Sequence, residues 1–213
     1  MELDSSATGP VSKMDELRYG SLGASCIHIC VDMQRLFAEP TEWQMPWLEK
    51  VLPTIMELVS AHPQQTIFTR FIPAQRPAQG VGMWRHYYKR WGSMTIQELG
   101  PTMIDLVPEL ARFAPPARIF DKHVYSPWIG TDLQEQLRNA SIDTVVVSGG
   151  ETDVCVLATV MGAIDWGFRT ILATDALCSS SDEAHDALMA FYQGRLGEQL
   201  ETATAETILK NWI

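Results

Sequence analysis

The sequence is poor in cysteine, has no long apolar run and carries little positive charge. Its four cysteines are widely spaced and form no Cys-x-x-Cys pair, which argues against a disulfide scaffold or a zinc knuckle: Cys26, Cys30, Cys155 and Cys178. No stretch approaches the roughly 18 consecutive apolar residues of a membrane span. With 16 Lys and Arg against 26 Asp and Glu, the net charge of -10 argues against nucleic-acid and anionic-membrane partners.

The remaining composition is that of an ordinary globular protein. A chain of 213 residues with 46% hydrophobic and 20% charged residues has room for one α/β domain with a substantial core. We expect residues 1–23 to be an N-terminal extension and residues 24–213 to be that single domain. Because the N-terminus lacks the basic and then apolar order of a secretory signal, we expect a cytoplasmic protein.

Short apolar runs alternate with amphipathic segments along the chain. The runs predict strands at 26–31, 66–69, 118–121, 144–148, 170–174 and 199–202. The spacing of apolar residues between and after these runs predicts helices near 47–61, 132–139, 154–165, 183–192 and from 205 onward. Strands that alternate with helices are typical of a doubly wound α/β fold with a mostly parallel sheet.

The segment 70–100 interrupts this alternation. It is rich in Pro and Gly and contains an aromatic and basic run from Trp84 to Trp91. An insertion of this length in a compact domain is more often a lid or a binding loop than idle coil. We therefore expect a lid or insertion loop there, with the alternative that its aromatic side chains pack on a neighbouring subunit.

Three reactive residues follow the predicted carboxyl ends of strands. Asp32 follows the first strand, Lys122 follows the third, and Cys155 lies seven residues beyond Ser148. Open parallel sheets bind their ligands at this edge, near the point where the strand order reverses. Taken singly, Asp32 is also consistent with a turn cap and Lys122 with a surface lysine. Together, a cation near Asp32 and Cys155 offsets the cost of burying them and favours ionisation of the thiol.

The surroundings of Cys155 indicate a nucleophile. Gly149 and Gly150 permit a sharp turn after the strand, and Thr152 is a suitable N-cap for the next helix. A thiol in the first turn of that helix meets the positive end of the helix dipole and unpaired N–H groups. These favour the thiolate and can bind an oxyanion. The alternative is structural, because a free cysteine also packs well in a buried helix.

Three motifs occur together in one order and spacing. They are Val31-Asp32-Met33-Gln34 with Phe37; Lys122 with Tyr125-Ser126 and Gly130-Thr131-Asp132-Leu133; and Gly149-Gly150-Glu151-Thr152-Asp153-Val154-Cys155-Val156, followed by Gly167 and Asp175-Ala176. In these motifs the chain resembles the isochorismatase-like cysteine hydrolases, a superfamily with nicotinamidases, N-carbamoylsarcosine amidases and isochorismatases. The Thr-Asp-x-Cys-Val motif after a Val-rich strand is the most specific of them.

The resemblance implies a three-layer α/β/α fold around a six-stranded parallel sheet of order 3-2-1-4-5-6. It implies that Asp32 is a general base, that Lys122 lowers the thiol pKa, and that Cys155 attacks a carbonyl to form a thioester. It further implies an oxyanion hole of the backbone N–H groups of Glu151 and Cys155 and a cis peptide bond between Gly150 and Glu151. A homodimer or homotetramer is also implied.

Two departures from the family pattern bear on the chemistry. Residue 151 is usually small in relatives, whereas here it is Glu151. The nicotinamidase metal site needs an Asp-x-His pair soon after the second strand, where this chain has Thr69-Arg70-Phe71-Ile72-Pro73. We therefore predict that the protein uses no catalytic metal and no cofactor, and that its substrate is not a pyridine amide.

The predicted substrate is a small molecule held by aromatic and basic side chains, with Arg70 or Arg85 pairing with a substrate carboxylate. The predicted pocket residues are Phe37, Arg70, Trp84, Arg85, Tyr88 and Trp128.

The retained cysteine favours one of the family's activities. True isochorismatases replace it, so the sequence favours metal-independent hydrolysis of a C–N bond in a small carboxamide or carbamoyl (ureido) compound. Two alternatives stay open. One is isochorismatase-type vinyl-ether hydrolysis, and the other is a catalytically silent protein used for binding or oligomerisation.

Overall fold

The computed structural model describes residues 16–213, in which strands and helices alternate. The strands are β1 Cys26–Val31, β2 Thr66–Phe71, β3 Arg118–Lys122, β4 Thr144–Gly150, β5 Arg169–Cys178 and β6 Leu200–Ala203. The helices are α1 Arg35–Ala38, α2 Leu48–Ala61, α3 Trp84–Arg90, α4 Ile96–Leu99, α5 Pro108–Ala111, α6 Leu133–Asn139, α7 Cys155–Asp165, α8 Asp182–Arg195 and α9 Ala205–Asn211. Each strand predicted from an apolar run is present, and β5 extends four residues beyond its predicted end.

The strands form one parallel sheet in the order β3-β2-β1-β4-β5-β6. This confirms the predicted fold class, a three-layer α/β/α domain with strand order 3-2-1-4-5-6. The order reverses between β1 and β4, so the loops at the carboxyl ends of these two strands diverge and open a crevice. The fold therefore offers a ligand site beyond the ends of β1 and β4.

Apolar side chains alternate between the two faces of the sheet. On β1, Cys26 and Cys30 face the layer that contains α2, α5 and α9, while Ile27, Ile29 and Val31 face the layer that contains α6, α7 and α8. Both β1 and β4 are buried at every position, as central strands covered on both sides must be. The crevice therefore opens beside two strands that are buried along their whole length.

The segment 70–100 forms short helices and turns rather than an irregular loop. It contains α3, α4 and short 3-10 turns, and it buries Tyr88 and Met94 against the core. Its structure brings Tyr87 and Trp91 to the carboxyl edge of the sheet, where they line a cleft.

The part of the predicted N-terminal extension that the structure describes, residues 16–23, packs along the end of the chain. Leu22 pairs with Trp212, and its N–H donates to the carbonyl of Asn211 at 2.7 Å. Arg18 forms an ion pair with Glu198 at 2.8 Å. Residues 1–15 of the predicted extension lie outside the described residues. Within 16–213, every helix is too short or too polar to cross a bilayer.

Gly149 is expected to tolerate no side chain. Its φ is +103°, and a Cβ placed there lies 2.1 Å from the carbonyl oxygen of Val31. We expect Gly149→Ala to lower the free energy of unfolding by about 3 kcal/mol or more, measured by urea denaturation. The matched control is Gly194→Ala in α8, where the added methyl meets nothing within 4 Å and should stabilise the helix by about 1 kcal/mol or less. Equal effects of the two substitutions would contradict this explanation.

Candidate active site

Asp32 is the first residue after β1, and its side chain is fully buried. Its φ of +50° lies in the left-handed region, which costs a non-glycine residue on the order of 1 kcal/mol. The neighbouring strand holds it in place, because its N–H donates to the carbonyl of Thr69 at 3.2 Å and the Thr69 hydroxyl donates to Oδ1 at 2.7 Å. The position of the carboxylate is therefore determined by the pairing of β1 with β2.

Lys122 ends β3, and its side chain is as buried as that of Asp32. Its Nζ lies 2.7 Å from Asp32 Oδ2 and 3.4 Å from Cys155 Sγ, and it donates to the carbonyl of Val124 at 3.3 Å. The ammonium also lies 5.1 Å from the centroid of the Phe71 ring. One buried cation therefore links the carboxylate to the sulfur.

Cys155 is the first residue of α7, with 6% of its surface exposed. The peptide bond between Gly150 and Glu151 is cis, and the carbonyl of Glu151 accepts hydrogen bonds from the N–H groups of Val154 and Val156. The bonds that hold this turn use neither the N–H of Glu151 nor that of Cys155. Both groups belong to the turn that carries the sulfur.

The sequence predicts Thr152 as the N-cap of α7, and this prediction is wrong. The N-cap is Val154, which makes no side-chain capping bond. The Thr152 hydroxyl instead bonds the carbonyl of Cys178 at 3.1 Å and Nδ1 of His185 at 2.9 Å. Thr152 thus ties the turn to β5 and α8 and leaves the first turn of α7 uncapped.

Burial dominates the protonation state of the sulfur. It raises the pKa of the Cys155 thiol well above its ordinary value; the Lys122 ammonium opposes the rise and the Asp32 carboxylate adds to it. Burial lowers the pKa of Lys122, but the attraction of Asp32 and of Cys155 outweighs it, so the pKa of Lys122 is raised overall. At neutral pH the site therefore holds a thiol between a carboxylate and an ammonium. Lys122 lowers the thiol pKa, as the sequence predicts, but by less than desolvation raises it.

A cleft of about 270 Å³ opens over Cys155. The residues that line it are Phe37, Glu42, Trp43, Phe71, Tyr87, Trp91, Tyr125, Glu151, Val154, Cys155 and Ser180. Trp43 is the centre of its aromatic wall, since four other rings of the wall have centroids 5.8 to 6.4 Å from that of Trp43. A larger groove of about 590 Å³ beside β6 contains none of the three reactive residues. The smaller cleft, which is lined by Cys155, is therefore the candidate substrate site.

Of the six predicted pocket residues, Phe37 lines the cleft and the two arginines do not. The Arg70 guanidinium is held by Asp121 at 2.7 Å and by Asp105 at 3.3 Å, on the outer side of β2. Arg85 donates to the carbonyl of Gly80 at 3.1 Å and borders a separate surface depression. Both guanidinium groups are thus occupied away from the sulfur.

The three other predicted pocket residues also lie outside the lining. Trp84 stands behind it, with its ring 5.2 Å from that of Tyr87 and 4.9 Å from that of Tyr125. Tyr88 is buried in the core. Trp128 packs on α7, where its Nε1 donates to the carbonyl of Thr159 at 2.9 Å. These three aromatic residues pack within the domain and do not line the cleft.

The sequence interpretation missed Trp43, Glu42 and Ser180 as cleft residues. Glu42 and Trp43 lie in the irregular segment between α1 and α2, just after Phe37 of the first motif, and that proximity was the available signal. Ser180 follows β5 and its hydroxyl donates a hydrogen bond to the Glu151 carboxylate. Burial raises the pKa of the Glu151 carboxyl.

Within residues 16–213, no group of three or more His, Cys, Asp or Glu side chains is placed to hold a metal ion.

The buried ion pair makes a strong coupling prediction. Asp32→Asn leaves the Lys122 ammonium buried without a counter-charge, and Lys122→Met leaves the Asp32 carboxylate in the same state. Each substitution should lower the free energy of unfolding by about 3–5 kcal/mol. The double variant should cost much less than the sum, as measured by a urea double-mutant cycle. Glu198→Gln, which removes the exposed partner of Arg18, serves as the control and should change little. Additive effects at positions 32 and 122 would exclude the pair.

Glu151 should make stability depend on pH. Because its pKa is raised in the folded state, the protonated carboxyl contributes stability that is complete below the ordinary glutamate pKa and is lost as pH rises through the folded value. Glu151→Gln should therefore gain stability relative to the natural chain as pH rises from about 4 to about 8. Thermal unfolding across this range is the measurement. A difference between the two proteins that stays constant with pH would refute the shift.

Comparisons with known proteins agree with this fold and motif set. The family model for the isochorismatase domain matches residues 26–204. The isochorismatase family protein YwoC of Bacillus subtilis (strain 168) is 34% identical over 104 residues, 46% of this chain and 55% of that relative, so the match spans about half of its length. Nicotinamidase 3 of Arabidopsis thaliana is 28% identical over 163 residues, 76% of this chain and 77% of that protein.

Solved structures share the architecture. The crystal structure of a cysteine hydrolase from Pseudomonas syringae pv. phaseolicola 1448A superposes with a TM-score of 0.76 at 23% identity, over 88% of this chain and 92% of the other. The likeness supports the fold, and the family match covers most of the chain and both the Asp32 and the Cys155 motifs. The chain belongs to the isochorismatase family.

Proposed function

We propose that the protein is a cysteine hydrolase that cleaves the C–N bond of a small carboxamide or carbamoyl compound through a thioester. The observation that carries the proposal is the position of Lys122 Nζ, 2.7 Å from Asp32 Oδ2 and 3.4 Å from Cys155 Sγ, beneath a cleft. Family membership and the similarity to a nicotinamidase support an amide as the reacting group. The small cleft volume favours a small substrate.

In the first half-reaction Asp32 accepts the proton of the Cys155 thiol as the sulfur attacks the carbonyl carbon. Because the thiol is neutral at rest, the nucleophile forms when substrate is in place, and the Lys122 ammonium stabilises the negative charge that develops on sulfur. The oxygen of the tetrahedral intermediate accepts hydrogen bonds from the N–H groups of Glu151 and Cys155, which the turn leaves unused. Asp32 then returns the proton to the leaving nitrogen, the C–N bond breaks, and a thioester remains.

In the second half-reaction Asp32 takes a proton from water, and the hydroxide attacks the thioester carbonyl. The same two N–H groups hold the oxyanion. The carbon–sulfur bond breaks, and the proton on Asp32 passes to the sulfur, which restores the thiol. The net change is amide plus water to carboxylic acid plus ammonia or amine, and a carbamoyl group follows the same steps.

We propose two further properties of the protein. We propose that the chain acts without a catalytic metal, because the end of β2 and the two residues after it, Thr69-Arg70-Phe71-Ile72-Pro73, lack the Asp-x-His pair of the nicotinamidase metal site. We also propose a homodimer or homotetramer in the cytoplasm, as the family resemblance implies.

The test is ammonia release from a panel of primary amides and ureido acids. Cys155→Ala should lower kcat by about a thousandfold or more, and Asp32→Asn should act similarly through loss of the general base. Cys26→Ala is the matched control, because this cysteine is buried at the start of β1 and should not affect turnover. Full turnover in Cys155→Ala would exclude the cysteine mechanism, and would favour the vinyl-ether alternative if chorismate-type ethers were cleaved.

A further inference from the structure

We propose that the cleft selects a carboxamide or carbamoyl substrate that carries a positively charged alkylammonium group close to the scissile bond, and that Glu151 and Glu42 select that charge. The inference rests on the proposed function, since it takes the cleft over Cys155 as the substrate site. It names the class of substrate.

The charged residues that line the cleft are both acidic. They are Glu42 and Glu151, and the lining residues in the described chain include neither Lys nor Arg. The nearest buried cation, Lys122, is paired with Asp32 at 2.7 Å. The cleft therefore offers two carboxylates whose charge is not balanced by any cation among the lining residues.

The two carboxylates stand at different depths. Glu151 is half-buried beside Cys155, where its carboxylate accepts a hydrogen bond from the Ser180 hydroxyl. Glu42 is exposed at the mouth, where its Oε1 accepts from the Ser93 hydroxyl at 2.7 Å. Both retain acceptor capacity, and a cation beside Glu151 would favour the ionised carboxylate that burial disfavours. A cation entering the cleft meets one carboxylate at the mouth and the other near the sulfur.

The rest of the lining suits an alkylammonium group. Trp43 contacts the rings of Phe37, Phe71, Tyr87 and Trp91, and the faces of such rings attract cations. Burial raises the pKa of Tyr87, so its phenol stays neutral. Trp43 is also 9% exposed, and its indole N–H has no acceptor among residues 16–213. An acceptor atom of the ligand would recover the free energy that this unpaired donor costs.

No arginine in the described chain is placed to hold a substrate carboxylate in the cleft. Arg70 is bound by Asp121 and Asp105 outside it. Arg90 lies over the Trp91 ring, 4.8 Å from its centroid, and does not line the cleft. An anionic substrate would therefore face two carboxylates without a matched cation.

The first experiment compares two amides of the same shape, betaine amide and its neutral isostere 3,3-dimethylbutanamide. Each kcat/KM is divided by the rate of alkaline hydrolysis of the same amide, which removes the inductive effect of the ammonium. The corrected ratio should favour the cation by about tenfold or more. Glu151→Gln and Glu42→Gln should each lower the ratio, whereas the control Glu57→Gln, on the exposed side of α2, should not. A ratio at or below one, a preference for succinamate, or a ratio unaffected by both variants would overturn the proposal.

The second experiment does not depend on amide hydrolysis. Cys155 is modified with two methanethiosulfonates, one carrying a trimethylammonium group and the other a sulfonate group. The rate of modification by each reagent is divided by the rate at which the same reagent reacts with free 2-mercaptoethanol. The cationic reagent should react faster by about tenfold, and the preference should fall in Glu151→Gln and at high salt. If this preference is present but no amide is cleaved, the proposed function fails and the cationic site stands. If amides are cleaved without any charge preference in either experiment, only the present proposal fails.

Discussion

The buried ion pair between Asp32 and Lys122 is the interaction on which the whole site depends. Neither charge is tolerated alone in a fully buried position, so the two must be brought together by the fold. That requires β1, β2 and β3 to be neighbours in parallel register, because Asp32 follows β1, Thr69 in β2 holds its carboxylate, and Lys122 ends β3. The strand order therefore serves the chemistry directly. A slip of one residue in any of these strands would turn a charged side chain toward the wrong face of the sheet.

In the mechanism that we propose, the same pair allows a deeply buried cysteine to serve as a nucleophile. Desolvation raises the thiol pKa by more than Lys122 lowers it, so the resting sulfur keeps its proton. In the proposed mechanism, the neighbouring carboxylate and ammonium make proton transfer possible at the moment of attack, since Asp32 receives the proton while Lys122 faces the new negative charge. A neutral resting thiol also protects the cysteine from oxidation and other side reactions of thiolates. Activation is thus tied to the presence of substrate.

Much of the fold and of the reactive trio followed from the sequence because both leave local signals. Buried central strands appear as unbroken apolar runs, and reactive residues just after such runs meet at one edge of a parallel sheet. The cleft wall left weaker signals. Trp43 and Glu42 lie in an irregular segment without periodicity, so their neighbours are decided by tertiary packing. Arg70, by contrast, was predictable: side chains alternate along a strand, and since Thr69 and Phe71 face the site, Arg70 must face away from it.

The proposed mechanism depends on Cys155 resting as a thiol between a carboxylate and an ammonium. The most direct measurement is an ultraviolet titration of thiolate absorbance, taken as the difference between the natural chain and Cys155→Ala. No thiolate signal is expected at neutral pH, and the signal should appear only well above the ordinary cysteine pKa of about 8.5. A full thiolate signal at pH near 7, which would mean a resting ion pair between sulfur and Lys122, would contradict this mechanism.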